Sequence, residues 1–204
     1  MARHTASVCK LCRRVNEKLM LKGSRCLTPK CAVGRRRRVM GRRRRVSDRG
    51  LQLLEKQKAR YTYGLLEGQF RRFFTRAEKQ AGITGDNLQV LLARRLDNVV
   101  QSLGFADSCS QARQLVLHGH ILVNGHKTDI ASSLVKEGDT IRWRESSTKT
   151  EYYKQLLESI QAKSVPTWLS LNRETMVAQV VSLPVPDETG AKFNGKAVVE
   201  YYSR

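Results

Sequence analysis

The sequence predicts a mostly helical α+β fold with an N-terminal metal knuckle, a helical body, and a compact module of two helices and a small antiparallel sheet. Three observations carry that prediction. Cys9, Cys12, Cys26 and Cys31 follow the spacing C-x2-C-x13-C-x4-C. Apolar residues recur at helical period through Phe70, Phe73, Phe74 and Ala77, and again from Leu88 to Leu103. A short apolar run, Ile121-Leu122-Val123, meets Asn124-Gly125, a pair that tolerates the positive backbone angles of a tight hairpin turn.

The N-terminal 46 residues contain few apolar side chains and four of the five cysteines. Two close cysteine pairs separated by a loop allow four thiolates to converge on one tetrahedral ion. Two disulfides are the alternative, although a reducing compartment would keep the thiols reduced. One structural Zn2+ suits a segment too poor in apolar residues to build its own core. An iron-sulfur cluster also takes four cysteines, and the spacing does not separate the two. Cys109 stands apart and is expected to be a small packing residue.

Ser47 can cap a helix on which Leu51, Leu54 and Lys58 share a face, with Gly64 as its break. The phenylalanine stripe marks the next helix, which is expected to stop near Gly82. Asp86 to Leu103 reads as one long helical pattern closed by Gly104. Ser108-Cys109-Ser110-Gln111 has the form of a capping box, and the helix it opens, lined by Ala112, Leu115 and Val116, can close at Gly119. Strands are expected at 121–123 and 140–144, giving a compact module over 94–144. A helix around 151–162 follows, and Met176 to Leu183 and Ala197 to Tyr202 look like strands.

Charge narrows the function. Among 204 residues, 38 Lys and Arg face 18 Asp and Glu, a formal charge of +20. Residues 1–60 hold 20 basic and 3 acidic side chains, whereas 61–204 hold 18 and 15, so the anion-binding surplus is N-terminal. Arg35, Arg36, Arg37 and Arg38, with Arg42, Arg43, Arg44 and Arg45, form two blocks of bidentate donors suited to phosphate oxygens. Arg94, Arg95 and Arg113 can form a patch beside Lys127 and Arg144, and His118 and His120 flank Gly119 where an imidazole can meet phosphate. No apolar run reaches the ~18 residues of a spanning helix, and the Arg blocks lack the apolar face of an interfacial one. The protein is therefore expected to be soluble and cytoplasmic, without a membrane partner. A phosphate loop, G-x-G-x-x-G, G-x-S-x-G and paired catalytic carboxylates are all missing, which argues against an enzyme or a small-molecule substrate.

Several runs together resemble the bacterial small-subunit ribosomal protein S-four family, in its form with an N-terminal four-cysteine knuckle. They include Ser47-Asp48, Gly50-Leu51-Gln52-Leu53, Glu55-Lys56-Gln57-Lys58 and Gln69-Phe70-Arg71. Further along come Arg95-Leu96-Asp97-Asn98-Val99-Val100, Gly104-Phe105, Ala112-Arg113-Gln114-Leu115-Val116, His118 to Gly125, and the ending Tyr202-Ser203-Arg204. The likeness covers nearly the whole chain. It departs between Gly34 and Val46, where the family carries P-G-x-H-G and this chain carries its Arg blocks, and at Arg49, where the family often has Tyr.

The resemblance implies a structural protein of the small ribosomal subunit that binds its ribosomal RNA directly and early in assembly. It also implies contact with ribosomal protein S-five, a place beside the channel where messenger RNA enters, and a part in translational accuracy. The organisation it implies is a basic knuckle segment at 1–46, a body at 47–93 and 158–204, and an RNA-binding module at 94–157. Such modules also occur in pseudouridine synthases, but no catalytic domain fits in the remaining length. With the resemblance added, the expected RNA contacts are the eight arginines of the two blocks, Arg49, Lys56, Lys58, Arg71, Arg72, Arg94, Arg95, Arg113, His118, His120 and Lys127.

Overall fold

The structure is a computed structural model, and it describes residues 6–33 and 47–203. The chain divides into two compact units, residues 1–89 with 191–204, and residues 90–190.

The first unit opens with helix α1 (Cys9–Val15), which ends at Asn16 in the left-handed region at φ 53°. Leu11, Cys12 and Leu19 are buried with Tyr61, and Val15, Leu21 and Val33 pack around them. Helix α2 (Asp48–Thr62) begins as expected, with Ser47 Oγ accepting from Gly50 N. Its inward face is Gln52, Lys56 and Ala59, while Leu51 and Leu53 are exposed. Polar donors can sit on that inner face because carboxylates meet them there. Gln52 Nε2 donates to Glu200 at 2.9 Å and Lys56 Nζ to Glu67 at 2.7 Å.

Helix α3 (Glu67–Glu78) buries Phe70, Phe74 and Ala77, the stripe its spacing predicts. Helix α4 (Thr84–Ala93) runs from this unit into the next. The long pattern from Asp86 to Leu103 is not one helix. It breaks at Arg94–Arg95, and α5 (Leu96–Ser102) starts from an extended Arg95. The backbone groups released by the break are taken up by 131–135: Leu96 N donates to Ser133 O, Asp97 N to Ala131 O, and Val135 N to Arg94 O. The apolar period runs through the break without a mark, so tertiary pairing overrides it.

Helix α6 (Cys109–Leu117) carries its predicted cap, with Ser108 Oγ accepting from Gln111 N and Gln111 Oε1 accepting from Asp107 N. Strands β1 (Ile121–Val123) and β2 (His126–Lys127) form the predicted hairpin, with Asn124 at φ 51° and Gly125 at 81°. Strand β3 (Thr140–Trp143) follows, then helix α7 (Glu151–Ser159), strands β4 (Leu169–Asn172) and β5 (Val177–Val180), and helix α8 (Gly195–Tyr202).

The five strands make one antiparallel sheet in the order β2-β1-β3-β5-β4. The hairpin β4–β5, which the sequence groups with the body, thus extends the module's sheet, and 158–190 falls in the second unit. That sheet and helices α5 to α7 enclose a core with Phe105, Ile121, Ile141, Trp143 and Trp168.

The expected strand at 197–202 is a correction. It is helix α8, capped by Asn194 Oδ1 accepting from Ala197 N. Its β-branched and aromatic residues favour a strand, but helical spacing buries Val198 and brings Tyr202 to 4.5 Å from the Phe74 ring. No helix among the described residues is long and apolar enough to cross a membrane.

Candidate nucleic-acid interface

Local turn chemistry builds a cationic corner in the second unit. Helix α6 ends and the chain reverses at Gly119, at φ +72°, so a glycine is required between His118 and His120. The Lys127 side chain lies across that glycine, so close that a Cβ there would clash with Lys127 Cε. The His118 and His120 rings are 6.0 Å apart, and His120 Nδ1 shares a 2.9 Å hydrogen bond with Ser147 Oγ. Arg144 N donates to His120 O, which brings a further cation to the corner. Burial, His118 and Arg144 together hold the His120 imidazole below its ordinary value. Lys127 and Arg144 bring the corner its lysine and arginine side chains.

The predicted Arg94–Arg95–Arg113 patch divides. Arg95 is 1% exposed, and its guanidinium donates to both carboxylate oxygens of Asp97. Arg113 reaches the same carboxylate at 3.3 Å from a half-buried position, and Arg94 Nε donates to Val135 O. As folded, Arg95 has no surface to offer a phosphate. A buried guanidinium requires the counter-charge that Asp97 supplies, and this burial stands against the RNA contact expected of Arg95.

A similar division runs through the first unit. Lys56 is 4% exposed, paired with Glu67 and set 4.9 Å from the centre of the Tyr201 ring. Lys58 pairs with Glu17 at 2.7 Å. Both expected contacts thus have internal partners, while Arg49, Arg71 and Arg72 are exposed. Arg35 to Arg38 and Arg42 to Arg45 lie outside the described residues. Sequence reading missed Arg142, which is exposed on β3 between buried Ile141 and Trp143. The signal was present in the alternation of Thr140-Ile141-Arg142-Trp143-Arg144.

Cys9, Cys12, Cys26 and Cys31 line one small hollow with Leu19 and Ala32, and no cysteine of the chain is in a disulfide. Burial pushes the Cys12 thiol up; a backbone hydrogen bond at Leu19 opposes this, and the charges of Cys26, Cys9 and Cys31 reinforce it. Lys22 N donates to Cys26 Sγ at 3.4 Å. Sulfur donors and nearby backbone N–H groups fit a structural thiolate-metal site in chemistry. Among the described residues, no three His, Cys, Asp or Glu side chains are already converged on a metal position.

Comparison with known proteins accounts for both parts of the chain. Residues 3–93 match the family described as ribosomal protein S4/S9 N-terminal domain, and residues 94–141 match the S4 domain. Small ribosomal subunit protein uS4 of Dehalococcoides mccartyi is 54% identical over 208 residues, covering 100% of both chains. The same protein of Pelotomaculum thermopropionicum is 51% identical, and that of Syntrophomonas wolfei 49%, again over 100% of both chains. These relatives are ribosomal proteins, not enzymes. With identity at this level running from end to end, the chain belongs to the uS4 family of small ribosomal subunit proteins.

Proposed function

We propose that this protein binds small-subunit ribosomal RNA directly and positions it without chemistry, joining the subunit early in its assembly. The observation that carries this reading is the corner around Gly119. There, Lys127 and Arg144 are exposed and make no ion pair among the described residues, and Lys127 falls within the residues that match the S4 domain. Meeting phosphates, such side chains release condensed counterions, which supplies affinity. Shape and 2′-hydroxyl contacts supply selectivity. The exposed Arg49, Arg71 and Arg72 extend the reading to the first unit, and the dense arginine blocks at 35–38 and 42–45 add eight more cations to it.

Contact with ribosomal protein S-five and a place beside the channel where messenger RNA enters belong to the same proposal, on the resemblance already given. So does the knuckle: Cys9, Cys12, Cys26 and Cys31 hold one structural zinc ion, or an iron-sulfur cluster in its place. The shared hollow supports this, as does the lack of a second folding device in so small a cluster. A bound ion would supply folding energy to residues 6–33 and nothing to a reaction.

Cosedimentation tests the proposal. The tagged protein should remain with small ribosomal subunits through a high-salt wash, in a ratio near one per subunit. Recovery in the soluble fraction would contradict it.

A further inference from the structure

The chain contains two Asn-Gly pairs, Asn124-Gly125 and Asn194-Gly195. Glycine after asparagine gives the main chain its readiest attack on the side-chain amide, because no Cβ shields the glycine nitrogen. Both asparagines are exposed, so water reaches either one. The fold treats the two pairs differently.

Asn124 is clipped at three atoms. At the tip of the β1–β2 hairpin, with φ 51°, its N donates to Thr140 O, its Nδ2 donates to Asp139 Oδ1, and its Oδ1 accepts from Thr140 N, each at 2.8 Å. Asp139 is itself anchored, its other carboxylate oxygen accepting from Lys136 N at 2.7 Å. Turning the Asn124 amide toward Gly125 N would break both side-chain bonds.

Asn194, at the start of α8, is held through one side-chain atom. Its Oδ1 accepts from Ala197 N at 3.3 Å, and its Nδ2 has no partner among the described residues. Gly195 N belongs to the first turn of α8, where an N–H has no acceptor within the helix. It has no other acceptor among the described residues. The nucleophile and the leaving group are thus both untied.

We infer that Asn194 is a site of spontaneous deamidation, whose products loosen the C-terminal helix α8. Gly195 N gives up its proton and bonds to Asn194 Cγ, while the Cγ–Nδ2 bond breaks and ammonia leaves with that proton. A five-membered imide results. Water then opens it at Cγ to give aspartate, or at the main-chain carbonyl to give isoaspartate, so one water is consumed and no oxidant or reductant takes part.

The surroundings decide what each product does. Aspartate still caps the helix. It also brings a second carboxylate to Glu55, whose Oε2 accepts from Asn194 N at 2.7 Å. Isoaspartate lengthens the main chain by one carbon where two backbones already touch: a Cβ added at Gly195 would stand 3.0 Å from Gly85 Cα. Helix α8 must then shift. That helix carries Glu200, which accepts from Gln52 Nε2 at 2.9 Å, and Tyr202, which donates to Glu67 at 2.8 Å. A change at its first turn therefore reaches the buried Lys56–Glu67 pair.

The test ages the purified full chain in warm, mildly alkaline buffer and measures conversion at each asparagine by peptide mass spectrometry. Isoaspartate is counted with an isoaspartyl methyltransferase and labelled methyl donor. In the folded protein Asn194 should convert at least about tenfold faster than Asn124, whose clip must open first. In urea the two rates should converge. Asp139→Ala should speed conversion at Asn124 and leave Asn194 unchanged. Hydrogen exchange over 195–202 should be faster in aged than in fresh protein. Asn194→Ser, which keeps a capping oxygen but has no amide, should show no such change.

Equal or faster conversion at Asn124 in the folded chain would overturn the inference. So would conversion of Asn194 no faster than that of Asn172, which precedes an arginine. Unchanged exchange over 195–202 in fully converted protein would overturn the loosening of α8.

Discussion

Arg95 and Arg142 carry the same charge in opposite surroundings. Arg142 is exposed on a strand, while Arg95 is 1% exposed and held by Asp97, itself fully buried. Breaking a buried pair from one side leaves the other charge without solvent or partner, at a cost of roughly 3–5 kcal/mol. Asp97→Asn should therefore lower unfolding stability by about that amount in urea titrations. A loss below about 1 kcal/mol would mean that Arg95 is hydrated in the folded protein. Glu67 offers a pH signature in the first unit. Burial pushes its carboxyl up, but hydrogen bonds from Lys56 and Tyr202 and the charges of Lys56 and Arg60 outweigh that, and the net shift is downward from 4.5. A lowered folded value means that the carboxylate's contribution is complete above pH 4.5 and is lost as pH falls through the lower folded value. Glu67→Gln should thus be less stable than wild type at pH 7, with the gap closing below pH 4.5; a gap independent of pH would contradict the ion-pair account.

At the scale of elements, legibility followed whether a local pattern also met its partners. The phenylalanine stripe of α3, the capping box of α6 and the Asn124-Gly125 turn were readable because propensity and tertiary environment agree there. The break at Arg94–Arg95 was not, because its stabilising contacts come from 131–135, some forty residues away. Helix α8 was misread as a strand because Val198, Val199, Tyr201 and Tyr202 favour strands until they are set against Phe74 and Lys56. The same limit applies to the site: sequence shows the cations Lys56, Lys58 and Arg95 but not the carboxylates of Glu67, Glu17 and Asp97 that pair with them in the fold. The cysteine spacing, by contrast, does correspond to four side chains around one hollow. For the knuckle, the purified protein should carry one equivalent of zinc or one iron-sulfur cluster by elemental analysis. Cys26→Ser should lose it and loosen 6–33, while Cys109→Ser, outside the hollow, should keep it. Equal retention in both variants would refute the ligand assignment.

Across the whole molecule, charge and core are unevenly shared. Residues 61–204 are nearly balanced in charge and contain the larger core, whereas residues 1–60 hold 20 basic side chains against 3 acidic ones. Self-repulsion in that segment falls when phosphates surround it, so RNA binding should slow hydrogen exchange in residues 1–60. Underlying this expectation is the proposal that the protein recognises ribosomal RNA by itself. Filter binding to a protein-free transcript of the 5′ part of small-subunit ribosomal RNA, beside a scrambled RNA of equal length, tests it most directly. Nanomolar binding to the transcript in moderate salt is expected, at least tenfold tighter than to the scrambled RNA; equal affinity for the two would overturn direct recognition.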